Sequence, residues 1–322
     1  MSETIVQVSS IKKHYRQKKR KTVKSVDNIS FSIQKGETFG LVGESGSGKT
    51  TLGRLIVGIH EPTEGSIAYN GKDISRLTKT ERRTVNREMQ MIFQDPEASL
   101  NPRMKVEDII AEGIDANRIA KGAERKQLVH QLLERVGLTA EHASRYPYEF
   151  SGGQRQRIGI ARALAVNPAF IVADEPISAL DVSIQAQIVN LLKDIQAEEE
   201  LTFLFIAHDL AMVKHISDRI GVMYLGQLME LAPSEELFAN PLHPYTQTLL
   251  AAIPSLDAYA KSEPESTFTE DPRGVEKPQL LHTEKGCPFY ERCPMAMERC
   301  AHERPEWKEK AAGHFTACHL YD

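Results

Sequence analysis

Eight residues constrain this chain more than any others. Gly43-Glu44-Ser45-Gly46-Ser47-Gly48-Lys49-Thr50 fits the pattern G-x-x-x-x-G-K-[ST]. The pattern carries meaning only between a strand and a helix, and both flanks are present. Thr38-Phe39-Gly40-Leu41-Val42 is a short apolar run of β character, and the residues from Thr50 to Ile59 carry helical periodicity. The glycines let backbone N–H groups turn inward around phosphate oxygens, and the helix N-terminus adds a favourable dipole. Lys49 supplies positive charge to terminal phosphates. The Thr50 hydroxyl suits Mg²⁺, with Thr51 directly behind it. A merely flexible glycine turn would not need this context.

Phe170-Ile171-Val172-Ala173-Asp174-Glu175 supplies the other half of such a site. A buried strand would deliver Asp174 to its C-terminal end, where open α/β sheets hold their ligands. An aspartate there suits Mg²⁺, usually through water. Glu175, one residue further out, is the candidate base for water attacking a terminal phosphate. Selection of guanine requires N-K-x-D, and Asn70-Gly71-Lys72-Asp73 has the wrong spacing. ATP is therefore the expected nucleotide.

The rest of the chain alternates strands and helices. Ile5–Ile11 and Val26–Ile33 alternate as half-buried strands do. Between them, Lys12 to Lys24 holds eight Lys and Arg residues, the pattern of a solvated hairpin tip. Asn70-Gly71 marks a second hairpin turn. Met89–Gln94 and Thr202–Ala207 read as strands, Val106–Leu138 as an α-helical insert, and Arg219–Leu231 as a closing hairpin. A further helix starts at Ser151. This alternation predicts a mainly parallel α/β core. From Asn240 the character changes to one short helix. Pro254, Pro264, Pro272 and Pro278 then punctuate an acidic stretch that reads as linker. The expected division is 1–239 and 240–322, with the helical part of the first at about 95–165.

Composition narrows the function classes. Of 322 residues, 41% are hydrophobic and 26% charged, enough for a full buried core. A net charge of −4 argues against a nucleic-acid partner held by bulk charge. No apolar run approaches the ~18 residues that span a bilayer. Met1–Ser10 lacks a basic, then apolar, leader. A cytosolic chain that reaches any membrane through partners is expected. The four cysteines, Cys287, Cys293, Cys300 and Cys318, all fall in the last 36 residues. In a reducing compartment such a cluster reads first as a metal site. Its spacing, C-x5-C-x6-C-x17-C, matches neither paired C-x2-C zinc motifs nor the ferredoxin run. Four thiolates suit Zn²⁺ or an iron–sulfur cluster.

Phe150-Ser151-Gly152-Gly153-Gln154 resembles the LSGGQ signature of ABC ATPases, with Phe in place of the usual Leu. Two glycines and a serine hydroxyl at a helix N-terminus make a second phosphate cradle. The family's other motifs are matched in order. Tyr15 resembles the aromatic residue that stacks on adenine, with His14 the neighbouring alternative. Gln94 resembles the glutamine that reaches Mg²⁺ and the attacking water. Ser178-Ala179-Leu180-Asp181 is similar to the loop across the dimer seam, and His208 resembles the histidine that contacts the γ-phosphate. The resemblance covers about residues 5–237. It implies a P-loop NTPase ABC nucleotide-binding domain of α/β class, with a RecA-like core, an antiparallel β subdomain and an α-helical subdomain. A small Cys-rich C-terminal extension follows. Two cradles set apart on one chain imply a head-to-tail dimer, with ATP between Lys49 of one subunit and Ser151 of the other.

Longer strings point to one branch. Ile92–Pro96, Ala98–Pro102, Asp174–Asp181 and Asn240–Thr246 look like ATP-binding subunits of oligopeptide and dipeptide importers, and Cys287–Phe289, Arg292–Pro294 and Ala317–Leu320 agree. This resemblance implies an ATP-hydrolysing motor at the cytoplasmic face of the membrane. Its partners would be a second ABC ATPase in a head-to-tail heterodimer, two membrane permeases and an extracytoplasmic peptide-binding protein. The helical insert would carry movement to the permeases. A [4Fe–4S] cluster on the four cysteines is also implied, with Zn²⁺ as the alternative. Its role would be structural, because a proline-rich tail buries little apolar surface. His282, His302, His314 and His319 lie nearby, but four cysteines make them unnecessary as ligands. Relatives importing nickel or another solute are one alternative. ABC ATPases acting on ribosomes or DNA are another, but they carry two cassettes or long coiled-coil arms, and the stretch from Lys49 to Ser151 leaves no room for arms.

Overall fold

The computed structural model describes residues 3–16, 22–178, 180–253 and 285–322. The tip of the basic turn, Ala179, the linker prolines and His282 lie outside the described residues.

Strands β1 (Thr4–Arg16) and β2 (Thr22–Gln34) pair antiparallel. Their inward residues, among them Val6, Val8, Ile29 and Ile33, are buried. β3 (Thr38–Val42) is buried along its whole length, as a strand covered on both faces must be. The glycine loop then leads into α1 (Lys49–Ile56). β4 (Glu64–Tyr69) and β5 (Lys72–Asp73) form the Asn70-Gly71 hairpin. Both turn residues have positive φ, 48° and 75°, as a type I′ turn requires. β4 also pairs with β1, giving an antiparallel sheet of order β2-β1-β4-β5.

Next come α2 (Lys79–Glu88) and β6 (Met89–Ile92). The helical insert contains α3 (Pro96–Ser99), α4 (Val106–Asn117), α5 (Gly122–Arg135) and α6 (Gly152–Leu164). Ile110 and Ile114 of α4, Leu133 of α5 and Ile158 of α6 share one core. The chain continues through β7 (Phe170–Asp174), α7 (Val182–Glu199), β8 (Thr202–Ala207), α8 (Leu210–Ile216), β9 (Arg219–Tyr224) and β10 (Gln227–Pro233). α9 (Ser234–Ala239), α10 (Pro244–Ala251), α11 (Glu298–His302), β11 (Lys308–Ala311) and β12 (His314–Thr316) complete it.

The main sheet has the order β11-β12-β10-β9-β3-β8-β7-β6. The strands from β9 to β6 run parallel, and β10, β12 and β11 are antiparallel additions. β8 lies between β3 and β7, and all three run parallel, so the glycine loop and the end of β7 open at the same C-terminal end of the sheet. Together the two sheets and the insert give the mixed α/β cassette expected. The tail departs from expectation: it is not poor in buried surface. Phe289 is 1% exposed, and Cys287, Cys300 and Ala317 are buried too. β12 pairs directly with β10, so the extension completes the main sheet. The named prolines fall in 254–278, leaving the last residues free to form a hairpin.

Candidate functional site

The phosphate loop is shaped by its neighbours' backbone. A side chain at Gly43 would run into the Met223 carbonyl of β9, and one at Gly48 into the Ser25 carbonyl of β2. Both have positive φ, 152° and 103°. Nothing lies near the position a side chain would take at Gly46, which faces the cleft. Lys49 is 4% exposed and donates to the Gly43 carbonyl at 2.7 Å, the Glu44 carbonyl at 3.1 Å and Ser47 Oγ at 3.4 Å. Burial lowers its pKa, against the pull of Glu175, Asp174 and Glu44.

Thr50 Oγ1 donates to Asp174 Oδ1 at 2.8 Å. Burial holds the Asp174 carboxyl above its ordinary range, partly offset by that bond. Its other oxygen, Oδ2, is buried without a hydrogen-bond partner. A bare buried carboxylate oxygen beside a threonine hydroxyl fits Mg²⁺, bound directly or through water. Glu175 adopts φ 45°, a left-handed conformation rare for glutamate and typical of functional sites. Its backbone N–H is held by the Ile206 carbonyl at 3.0 Å. Three expected residues converge on its carboxylate: Gln94 Nε2 donates at 2.9 Å, His208 Nδ1 lies at 3.4 Å and Lys49 Nζ at 3.9 Å.

Lys49, Gln94, Glu175 and His208 line one cleft of about 600 Å³, with Ser25, Ser45, Gly46, Gly48, Thr50 and Thr51. Sequence reasoning missed Ser25, which enters only because β2 crosses behind the loop. Tyr15 is 38% exposed on β1 and does not line the cleft; Lys13 lies over its ring. His14 is turned to Asp27, 3.1 Å away. The second cradle is also elsewhere. Ser151 caps α6, accepting from the Gln154 N–H at 3.4 Å, while Gln154 Oε1 accepts from the Ser151 N–H at 3.0 Å. Gly152 and Gly153 form the first turn beside Leu180 and Ile184. Asp181 caps α7 by position alone, next to Val182, which is 82% exposed.

Cys287, Cys293, Cys300 and Cys318 line a single cavity, with His243, Tyr290 and His319. All four are free thiols. Burial foremost pushes Cys287 up to about 12 and Cys318 up to about 11, so a cation would be needed to ionise them. Among the described residues, no group of three or more His, Cys, Asp or Glu stands in metal-holding geometry. His319 is already engaged by Asp322 at 2.6 Å and the Glu303 carbonyl at 3.0 Å. His314 is engaged by Glu230 at 2.7 Å. Among the described residues no helix is long and apolar enough to cross a membrane.

The family described as ABC transporter matches residues 26–178, and that described as oligopeptide/dipeptide transporter, C-terminal region, matches residues 229–300. The putative oligopeptide transport ATP-binding protein YkfD of Bacillus subtilis is 55% identical, over 98% of this chain and 95% of its own length. The oligopeptide transport ATP-binding protein AppF of the same organism is 51% identical, over 99% and 98%. Its OppF is 63% identical, over 80% and 85%. Among solved structures, the ATP-binding cassette MJ0796, as a dimer in a post-hydrolysis state with ADP and Pi, aligns with TM-score 0.66 and 28% identity. That match covers 71% of this chain and 99% of the other. CbiO1 of Clostridium perfringens aligns with TM-score 0.64 and 26% identity, covering 74% and 92%.

Proposed function

The chain belongs to the ABC transporter ATP-binding proteins, in their oligopeptide/dipeptide branch, and from that premise we propose that it is the ATP-hydrolysing motor of a membrane peptide importer. The observation that carries this reading is the convergence of Lys49, Gln94 and His208 on Glu175, beside the Thr50–Asp174 pair. Mg²⁺, when bound, offsets phosphate charge; Thr50 and Asp174 would hold it. Lys49 exchanges the loop carbonyls for terminal phosphate oxygens. Glu175 takes the proton of the water that attacks the γ-phosphorus, and ADP and phosphate leave. Gln94 and His208 fix the carboxylate and the γ-phosphate between them.

Ser151, Gly152, Gly153 and Gln154 stand outside the cleft, which supports completion of the site by a second ATPase subunit in head-to-tail pairing. Asp181 and the exposed Val182 belong at that seam, and Tyr15, outside the phosphate cleft on β1, is the proposed stacking partner for the adenine. On the helical insert, Arg103, Lys105, Asp108, Asp115, Arg125 and Tyr146 line an open groove of about 510 Å³. Such a groove supports docking of the two permeases at the cytoplasmic face, with a peptide-binding protein across the membrane. We propose a [4Fe–4S] cluster on the four cysteines, with Zn²⁺ the alternative; they line one cavity without standing in metal-holding geometry, and the thiol chemistry of the set is what supports either. Glu175→Gln tests the catalytic reading: MgATP binding persists, turnover at this chain's loop falls at least about 100-fold, and Lys49→Ala loses binding itself. Hydrolysis within tenfold of wild type in Glu175→Gln would remove Glu175 as the base.

A further inference from the structure

The cysteine segment is tied to the nucleotide cleft by two arginines that hydrolysis does not use. Arg292, directly before Cys293, makes a double ion pair with Glu44, both N–O distances being 2.9 Å. Its guanidinium carbon lies 5.7 Å from the ring centres of both Tyr224 and Phe289, which fixes the plane of the fork. Glu44 is the second residue of the phosphate loop. Its N–H donates to Tyr245 Oη at 3.0 Å, and its carbonyl accepts from Lys49 at 3.1 Å. Among the described residues, only Arg292 is bonded to its carboxylate. Phe289 packs on Tyr245, ring centres 5.2 Å apart. Further along the segment, Arg304 donates to the buried Asp27 at 3.0 Å. Asp27 lies two residues after Ser25, whose carbonyl backs Gly48.

Arg292 is placed by the cysteines' own backbone. The Cys287 N–H donates to the Cys300 carbonyl at 2.8 Å, the Tyr290 N–H to Cys287 at 3.0 Å, and the Arg292 N–H to Phe289 at 3.1 Å. A shift of Cys287 or Cys293 therefore moves the guanidinium. We propose that the cysteine segment braces the nucleotide site, with Arg292 as its positioning residue: holding Glu44, it keeps the phosphate loop in the shape that receives MgATP, so that order in the cysteine cavity sets nucleotide affinity. The proposal rests on the ATP site assigned above.

The test is the MgATP Kd of the full-length chain, read with a fluorescent ATP analogue. Loss of binding in Lys49→Ala checks the ATP site itself; its failure would sink that assignment, independently of the brace. Arg292→Ala and Glu44→Gln should each raise Kd about fivefold, as expected for a held bidentate pair, and the double variant should be no worse than either. Arg292→Lys should recover part of the loss, keeping charge without the fork. Cys293→Ser should raise Kd in the wild-type background and not in Arg292→Ala. In the assembled transporter, KM for ATP should rise while kcat holds. Values of Kd within twofold of wild type for Arg292→Ala and Glu44→Gln, additive losses, or an equal Cys293→Ser effect in both backgrounds would overturn the brace. If Arg292→Ala does not fold, Glu44→Gln decides alone, because it leaves the tail intact.

Discussion

Glu230 offers the sharpest test of how the tail is joined to the cassette. Its carboxylate is fully buried on β10. It accepts from the N–H of Leu242 at 2.7 Å, the N–H of His243 at 2.9 Å and His314 Nε2 at 2.7 Å. One side chain thus joins β10, the start of α10 and β12. Glu230→Ala strips all three donors, and two of them are too deeply buried for water to replace the lost oxygen. Each buried donor left unmatched costs about 1–3 kcal/mol, and three donors lose their acceptor at once. A loss of about 4 kcal/mol is expected, a large share of a typical stability of about 5–15 kcal/mol. With a urea slope of about 3 kcal/mol per M, the midpoint falls by more than about 1 M. Glu230→Gln keeps the shape and one acceptor, so about 1–2 kcal/mol is expected. Urea unfolding followed by circular dichroism measures both. A Glu230→Ala midpoint matching wild type would refute the reasoning, showing that the donors find other partners.

Three further outcomes are expected. A cysteine at Ser151 should cross-link to one in the partner ATPase's phosphate loop only with ATP present; cross-linking within a monomer would end the head-to-tail arrangement. Anaerobically purified protein should be brown, absorb broadly in the visible and bleach when any one of the four cysteines becomes Ser, whereas a colourless preparation with one zinc per chain would favour the alternative metal. Burial pushes His243 down to about 4 from the model-compound value of 6.5. Its neutral form therefore supports the fold fully above pH 6.5, and up to about 3 kcal/mol drains away between pH 6.5 and about 4, as the unfolded chain takes up the proton first. His243→Gln should flatten that slope in urea midpoints, and an unchanged slope would count against it.

What could be read from the sequence was the chemistry carried by short motifs. Lys49, Thr50, Glu175, Gln94 and His208 do meet in one cleft, with Asp174 behind Thr50, because each sits at or just beyond the end of a buried strand or within the loop itself, where spacing fixes position. The α2 helix escaped notice since it has no buried residue and so no apolar period; its Thr78–Glu81 capping box was the only signal. The β11–β12 hairpin escaped because its strands are short and one is almost wholly exposed. Glu44 occupies a variable position of the loop motif, and Arg292 reads as an ordinary surface charge. Their pairing spans a sequence separation of 248 residues, which no local pattern can announce.

Completion of the main sheet by the last strands has a consequence for synthesis. β10 finds its outer neighbour only when Phe315 and Thr316 pair with Leu231 and Glu230. On the ribosome, β9 and β10 emerge long before that partner, so an open strand edge waits while the remaining residues are made, and such edges invite wrong pairing. A message truncated before β12 would leave the edge open for good, even with every ATP motif intact. Once β12 has paired, the outermost strand on that side of the sheet, among the described residues, is β11. It presents Lys308, Glu309 and Lys310 to solvent, charges that discourage a neighbouring molecule from extending the sheet.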